Sequence, residues 1–139
     1  MDHMRETIDL LIVDDHPGYR EGMAAMLSRV DGLRIVAEAA DGREAIGKAL
    51  ELQPDVVLMD VRMPQIDGIS ATREIIRQSP RIRILVVTMS EDDNTVFAAL
   101  KAGARGYVLK DSTRADLERA IAAVARGEAI FSSGVAERL

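Results

Sequence analysis

Side chains that could bind a metal ion and a phosphate group follow four of the five apolar runs in the sequence. They are Asp14 and Asp15 after the first run, Asp60 after the third, Thr88 after the fourth and Lys110 after the fifth. Crowded carboxylates repel one another unless one is protonated or a cation lies among them. With oxygen ligands only, the expected cation is a hard divalent ion, Mg²⁺ with Mn²⁺ as a substitute. The set therefore predicts a Mg²⁺ site that binds phosphate.

Asp60 is the candidate nucleophile of this set. A carboxylate without a Ser/His or Cys/His partner can attack phosphorus itself and form an acyl phosphate. Asp60 directly follows an apolar run, and a Met-Pro step at Pro64 and an Asp-Gly turn at Gly68 constrain the next loop. Lys110 and Thr88 could hold the other oxygens of a transferring phosphoryl group. These residues indicate phosphoryl transfer to an aspartate.

Five runs rich in β-branched residues alternate with stretches of helical periodicity, which predicts an α/β fold. Runs with little alternation indicate burial on both faces, hence a parallel sheet between helices. We predict a doubly wound, flavodoxin-like (βα)5 fold with a five-stranded sheet in the order 2-1-3-4-5, whose carboxyl edge binds the ligand. The predicted strands are 8–13, 33–39, 56–59, 82–87 and 107–109, and helices are predicted to start near residues 17, 41, 68, 93 and 113.

The composition is that of one globular domain. The chain has 139 residues and a net charge of −5, which argues against nucleic-acid binding by this chain alone. The absence of cysteine excludes a disulfide scaffold, a thiolate zinc site and a cysteine nucleophile. No apolar run approaches the roughly 18 residues of a membrane span, and no signal-peptide pattern is present. We therefore expect a cytoplasmic protein without a membrane partner.

Four motifs occur in order along the chain at the predicted strand ends. They are L-I-V-D-D-H-P ending at Pro17, D-V-R-M-P-Q-I-D-G ending at Gly68, V-T-M-S ending at Ser90 and K-A-G-A-R-G-Y-V-L-K-D ending at Asp111. Together they resemble the receiver domain of two-component response regulators. The resemblance covers about residues 8–126, and the details are most similar to the NarL/FixJ (LuxR-type) subfamily of transcriptional regulators. It implies a signalling switch and not an enzyme, one that promotes only its own Mg²⁺-dependent phosphorylation and dephosphorylation.

The resemblance implies which residues bind the phosphoryl donor and the metal. Asp60 would accept a phosphoryl group from the phosphohistidine of a sensor histidine kinase. Asp15, Asp60 and the backbone carbonyl of Arg62 would bind Mg²⁺, with Asp14 acting largely through water.

It also implies how the phosphorylated state would be read. Thr88 and Lys110 would bind phosphoryl oxygens. Thr88 would shift toward the new phosphoryl group, so that Tyr107 rotates inward and remodels an output face on the fourth helix, fifth strand and fifth helix. Arg62 and Ser90, which flank the site, would tune the rate of dephosphorylation. Without the resemblance, the residue pattern favours a plain core aromatic at Tyr107.

By the same resemblance the chain is divided into three parts. Residues 1–6 are expected to be an N-terminal tail, 7–127 the receiver domain and 128–139 the start of an interdomain linker. A C-terminal helix-turn-helix output domain is expected in a longer protein, and the receiver could form a homodimer.

Two other function classes stay open on the residues alone. A haloacid-dehalogenase-like phosphatase also uses an aspartate nucleophile and Mg²⁺, but it needs an Asp-x-Asp pattern and a cap, whereas this chain has Asp14-Asp15 and no insertion of cap size. A pseudo-receiver binding module would keep the fold without phosphotransfer, and loss of the acidic pair or of Lys110 would have favoured it. A P-loop enzyme is excluded because no G-x-x-x-x-G-K-[ST] run occurs.

Overall fold

The computed structural model describes residues 7–63, 66–89 and 92–131, and these residues build one parallel sheet. Its strands are β1 (Ile8–Val13), β2 (Leu33–Ala39), β3 (Val56–Met59), β4 (Arg83–Thr88), β5 (Gly106–Leu109) and β6 (Ile130–Phe131). They lie in the order β2-β1-β3-β4-β5-β6, and each neighbouring pair is parallel. The predicted order 2-1-3-4-5 of a doubly wound fold is confirmed.

Within the described ranges five helices connect the strands: α1 (Pro17–Leu27), α2 (Gly42–Leu52), α3 (Gly68–Gln78), α4 (Asp93–Ala102) and α5 (Arg114–Ala125). Four of them are preceded by a side chain that accepts a hydrogen bond from a backbone N–H of the first turn, namely Asp41, Asp67, Asp92 and Thr113. Such caps satisfy N–H groups that have no partner inside the helix. None of these helices is long and apolar enough to cross a membrane.

The helices cover both faces of the sheet. Buried side chains of α2, α3 and α4 form one apolar layer, and those of α1 and α5 form the other. β3 contributes Val57 and Met59 to the first layer and Val56 and Leu58 to the second, all of them buried. This burial on both faces explains why the sequence of β3 does not alternate between apolar and polar residues.

The sheet has six strands and not the five predicted. Ile130 and Phe131 pair with Gly106 and Tyr107 of β5, so the beginning of the predicted linker, 128–139, adds a strand to the sheet. Gly106 permits this pairing, because a Cβ there would lie only 2.9 Å from the Ile130 carbonyl oxygen. A two-residue strand at an edge gives little periodicity, which is why the pattern did not predict it. The predicted tail, 1–6, and residues 132–139 lie outside the described residues.

Candidate functional site

Asp14 is held firmly at the carboxyl end of β1. One carboxylate oxygen accepts a hydrogen bond from the His16 backbone N–H at 2.9 Å, and the other lies 2.7 Å from Lys110 Nζ. The Arg20 guanidinium donates to the Asp14 carbonyl at 2.7 Å and to the Glu38 carboxylate at 3.0 Å. These contacts tie the loop between β1 and α1 to β2. The Asp14 carboxylate is therefore buried and fixed in position.

Asp60 lies at the carboxyl end of the neighbouring strand β3 and is also buried. The Thr88 hydroxyl and the Val61 backbone N–H donate hydrogen bonds to its carboxylate. Burial and the negative charge of Asp14 raise the pKa of Asp60. The Lys110 ammonium and the two hydrogen bonds oppose this rise in pKa without cancelling it. The ionised form of Asp60 is therefore less favoured than that of an ordinary exposed aspartate.

Lys110, which follows β5, lies between these two carboxylates. Its Nζ is 2.7 Å from Asp14 and 3.5 Å from Asp60, so the two carboxylate oxygens are within about 6 Å of each other. Nζ also lies 4.4 Å from the ring centroid of Tyr19 on α1. Burial, followed by the charges of Asp14 and Asp60, raises the pKa of the Tyr19 phenol to about 12. The three residues predicted at separate strand ends, Asp14, Asp60 and Lys110, therefore meet at one point.

The acidic residues of the loop after β1 form a candidate metal site. Ligand atoms of Asp14, Asp15 and His16 lie within 4.8 Å of one another. Carboxylate oxygens are ligands that Mg²⁺ prefers, whereas the His16 imidazole is not. Asp60 lies within about 6 Å of the Asp14 carboxylate, which would let one hydrated ion contact both. The donor chemistry of these carboxylates fits Mg²⁺.

The remaining predicted residues surround this centre. The Arg62 side chain is exposed, with a guanidinium nitrogen 4.0 Å from the Asp92 carboxylate, and the role of its backbone carbonyl stays a prediction. Tyr107 is completely buried in the layer formed with α2, α3 and α4. This burial agrees with the core aromatic that the residue pattern favours, and rotation of Tyr107 on phosphorylation stays a prediction. Ser90 lies outside the described residues.

A glycine keeps the loop after Asp60 close to the site. A Cβ on Gly68 would lie 2.0 Å from the Asp60 carbonyl oxygen, and the Gly68 N–H donates to the Val61 carbonyl at 2.8 Å. Any larger residue would push the start of α3 away from the end of β3. The predicted Asp-Gly turn is therefore a tight contact that positions Asp60.

Three residues near the site were not predicted from the sequence to belong to it. His16 adjoins the acidic pair, Tyr19 contacts Lys110, and Arg20 holds the Asp14 carbonyl. Tyr19 stands at helical spacing from Met23 and Leu27, and this spacing cannot distinguish a ring in the core from a ring that contacts a cation. Arg20 gave no signal, because its partner Glu38 is on another strand.

Comparison with protein families supports the resemblance inferred from the motifs. The family model described as "Response regulator receiver domain" matches residues 10–122. The matched range contains every predicted site residue.

Individual relatives are similar over nearly the whole chain. The response regulator GacA of Pseudomonas viridiflava is 44% identical over 132 residues, which are 95% of this chain and 62% of that protein. A crystal structure of a LuxR-family two-component response regulator from Aurantimonas sp. SI85-9A1 has 41% identity and a TM-score of 0.91, covering 96% of this chain and 95% of that one. RcsB of Salmonella enterica serovar Typhimurium, solved on promoter P1flhDC with the phosphomimetic BeF3-, has 29% identity and a TM-score of 0.85, covering 96% and 67% of the two chains.

Proposed function

Because the chain belongs to the response regulator receiver domain family of two-component systems, we propose that Asp60 is its phosphoacceptor and that phosphorylation there switches its state. One observation carries this proposal: Lys110 Nζ lies 2.7 Å from Asp14 and 3.5 Å from Asp60, two buried carboxylates at the carboxyl edge of the sheet. The Thr88 hydroxyl also donates a hydrogen bond to the Asp60 carboxylate. Asp60 is thus the carboxylate surrounded by groups that can bind phosphoryl oxygens.

The proposed reaction needs no general base. A carboxylate oxygen of Asp60 attacks phosphorus, the new O–P bond forms as the P–N bond of the donor phosphohistidine breaks, and the leaving imidazole takes up a proton. Lys110 and Thr88 would bind phosphoryl oxygens and stabilise the charge that develops on them. Both already contact the Asp60 carboxylate. The protein would promote only this transfer and the later hydrolysis of its own acyl phosphate.

We propose Mg²⁺ as the cofactor, with Mn²⁺ as a substitute. Asp15, Asp60 and the Arg62 carbonyl would hold it, and Asp14 would act largely through water. When bound, the ion supplies positive charge that reduces the repulsion between Asp60 and an anionic donor. Because the strand ends hold the carboxylates close together, a cation that binds among them would offset their mutual repulsion.

The switch would run from Asp60 to Tyr107 through Thr88. Thr88 is completely buried at the end of β4, where it is paired with Leu109 of β5. A shift of its hydroxyl toward a phosphoryl group would alter the packing near Tyr107, which lies on β5. The proposed output face is therefore α4, β5 and α5. Arg62 and Ser90 are proposed to tune the rate of dephosphorylation.

The partners are also proposals. The chain spans 62% of the length of GacA, and RcsB was solved on a promoter. We therefore propose a sensor histidine kinase as phosphoryl donor and a C-terminal helix-turn-helix domain as output in a longer protein, with homodimerisation as a further means of control. The net charge of −5 supports DNA contact through that domain and not through the receiver. A cytoplasmic location suits such a receiver.

Intact-protein mass spectrometry after incubation with acetyl phosphate tests the proposed acceptor. We expect one added phosphoryl group that requires Mg²⁺ and is absent from Asp60→Asn. Asp31→Asn is a matched control, because Asp31 is exposed and lies near the start of β2, far from the site. Labelling of Asp60→Asn to the wild-type level, or no labelling of the wild type, would overturn the proposal.

A further inference from the structure

We infer that Tyr19 is a positioning residue for phosphoryl transfer, whose ring holds the Lys110 ammonium in place. The inference rests on the proposed function, because Lys110 matters there as a phosphoryl ligand. Tyr19 lies in the first turn of α1 and is half-buried. Lys110 Nζ stands 4.4 Å from its ring centroid, within the range of a cation–π interaction. No other aromatic ring in the described residues has such a contact.

Lys110 needs such a partner because its other contacts change during the reaction. The ammonium lies closer to Asp14, at 2.7 Å, than to Asp60, at 3.5 Å. A divalent cation attracts the same carboxylate, so this ion pair is weakened when the acceptor site is loaded. The Tyr19 ring is neutral, and it attracts a cation without competing for the metal or for the phosphoryl group. The Tyr19 ring can therefore keep the ammonium near Asp60 when Asp14 interacts with the metal ion.

The surroundings of the ring show where the lysine would go without it. A cavity of about 190 Å³ lies between α1 and α5, and Tyr19, Lys110, Met26 and Leu117 are among its lining residues. Lysine has a long flexible side chain with many rotamers, which this space would let it sample. The ring is a wall of that cavity as well as a partner for the charge. Without the Tyr19 ring, the Lys110 side chain would be less ordered during the transfer, when its ammonium has to bind the phosphoryl oxygens.

Two substitutions distinguish the effect of the aromatic ring from the effects of the hydroxyl and of apolar packing. Tyr19→Phe keeps the aromatic face, and Tyr19→Leu keeps an apolar side chain without it. Met26→Leu changes another lining residue of the same cavity and serves as the control. For each protein we would measure the initial rate of Mg²⁺-dependent labelling by acetyl phosphate, the Mg²⁺ dissociation constant, and the NMR shifts of the Lys110 Hε protons, which a ring above or below them moves upfield.

We expect Tyr19→Leu to lose the upfield shift and to be labelled about 5- to 30-fold more slowly, with little change in Mg²⁺ affinity. Tyr19→Phe and Met26→Leu should keep the shift and the wild-type rate. Three results would overturn this inference and leave the proposed function intact. They are labelling of Tyr19→Leu at the wild-type rate, a loss of rate in Tyr19→Phe equal to that in Tyr19→Leu, and no ring-current shift of the Lys110 protons in the wild type. Wild-type protein that takes up no phosphoryl group would overturn the proposed function, and with it any role of Tyr19 in the transfer.

Discussion

Replacing Lys110 by methionine removes a cation that contacts both buried carboxylates of the site. Methionine keeps much of the apolar stem, so the change is chiefly one of charge. Asp14 and Asp60 are only 2% and 5% exposed, and the lysine side chain is 10% exposed, so water screens these charges poorly. In Lys110→Met the two carboxylates would face each other without a counter-charge. The metal-free protein should therefore be destabilised.

The expected size of the effect follows from the distances. Two unit charges at most about 6 Å apart repel by at least about 3 kcal/mol at an effective dielectric constant of 20. Removing one partner of a buried ion pair typically costs about 3–5 kcal/mol. We therefore expect the free energy of unfolding in EDTA at neutral pH to fall by about 3 kcal/mol. Since the ammonium competes with a metal ion for Asp14, Mg²⁺ should bind Lys110→Met at least about tenfold more tightly, which corresponds to about 1.4 kcal/mol.

Urea unfolding followed by circular dichroism, in EDTA and in saturating Mg²⁺, would measure both parts of this effect. Lys101→Met is the matched control, because Lys101 is exposed on α4. We expect Mg²⁺ to recover most of the stability lost in Lys110→Met. The deficit in EDTA should also shrink in acid, because the raised pKa of Asp60 lets this carboxyl take up a proton at a higher pH than an ordinary aspartate, which removes one of the two repelling charges. Equal stability of the Lys110 and Lys101 variants in EDTA would refute the reasoning.

Two further predictions concern the ionisation of Asp60 and the loop behind it. Because Mg²⁺ needs the deprotonated carboxylate and the pKa of Asp60 is raised, Mg²⁺ affinity should fall as the pH decreases toward this raised pKa, with more protons released per ion bound. Titration calorimetry in two buffers would show this, and an affinity independent of pH would contradict it. Gly68→Ala should lower the free energy of unfolding by about 1–3 kcal/mol, because its Cβ would lie 2.0 Å from the Asp60 carbonyl oxygen. Gly47→Ala is the control, because Gly47 is exposed on α2 and no atom lies within 4 Å of the new Cβ. It should raise the free energy of unfolding by about 0.5–1 kcal/mol. Equal effects of the two substitutions in thermal melts would contradict the argument from the Gly68 contact.

Local patterns in the sequence were sufficient for most of the fold. The predicted helix starts near residues 17, 41, 68, 93 and 113 lie within one residue of those observed, and each of the first five strands was predicted from a run rich in β-branched residues. Such signals depend on neighbours in the chain, so they can be read without coordinates. β6 could not be predicted, because two residues at a sheet edge are specified by the partner strand. Its pairing depends on Gly106, which is 24 residues earlier in the chain than Ile130.

The sequence by itself determined which residue types stand at the strand ends, and therefore that acidic, hydroxyl and cationic groups would share one edge of the sheet. Only the tertiary structure decided how they contact one another. Lys110 pairs more closely with Asp14 than with Asp60, and it lies over Tyr19. The raised pKa of Asp60 likewise depends on burial and on Asp14, which no local pattern reports. These properties arise because the sheet brings together charges that are distant in the chain, and electrostatic energy depends on their separation and on exclusion of water.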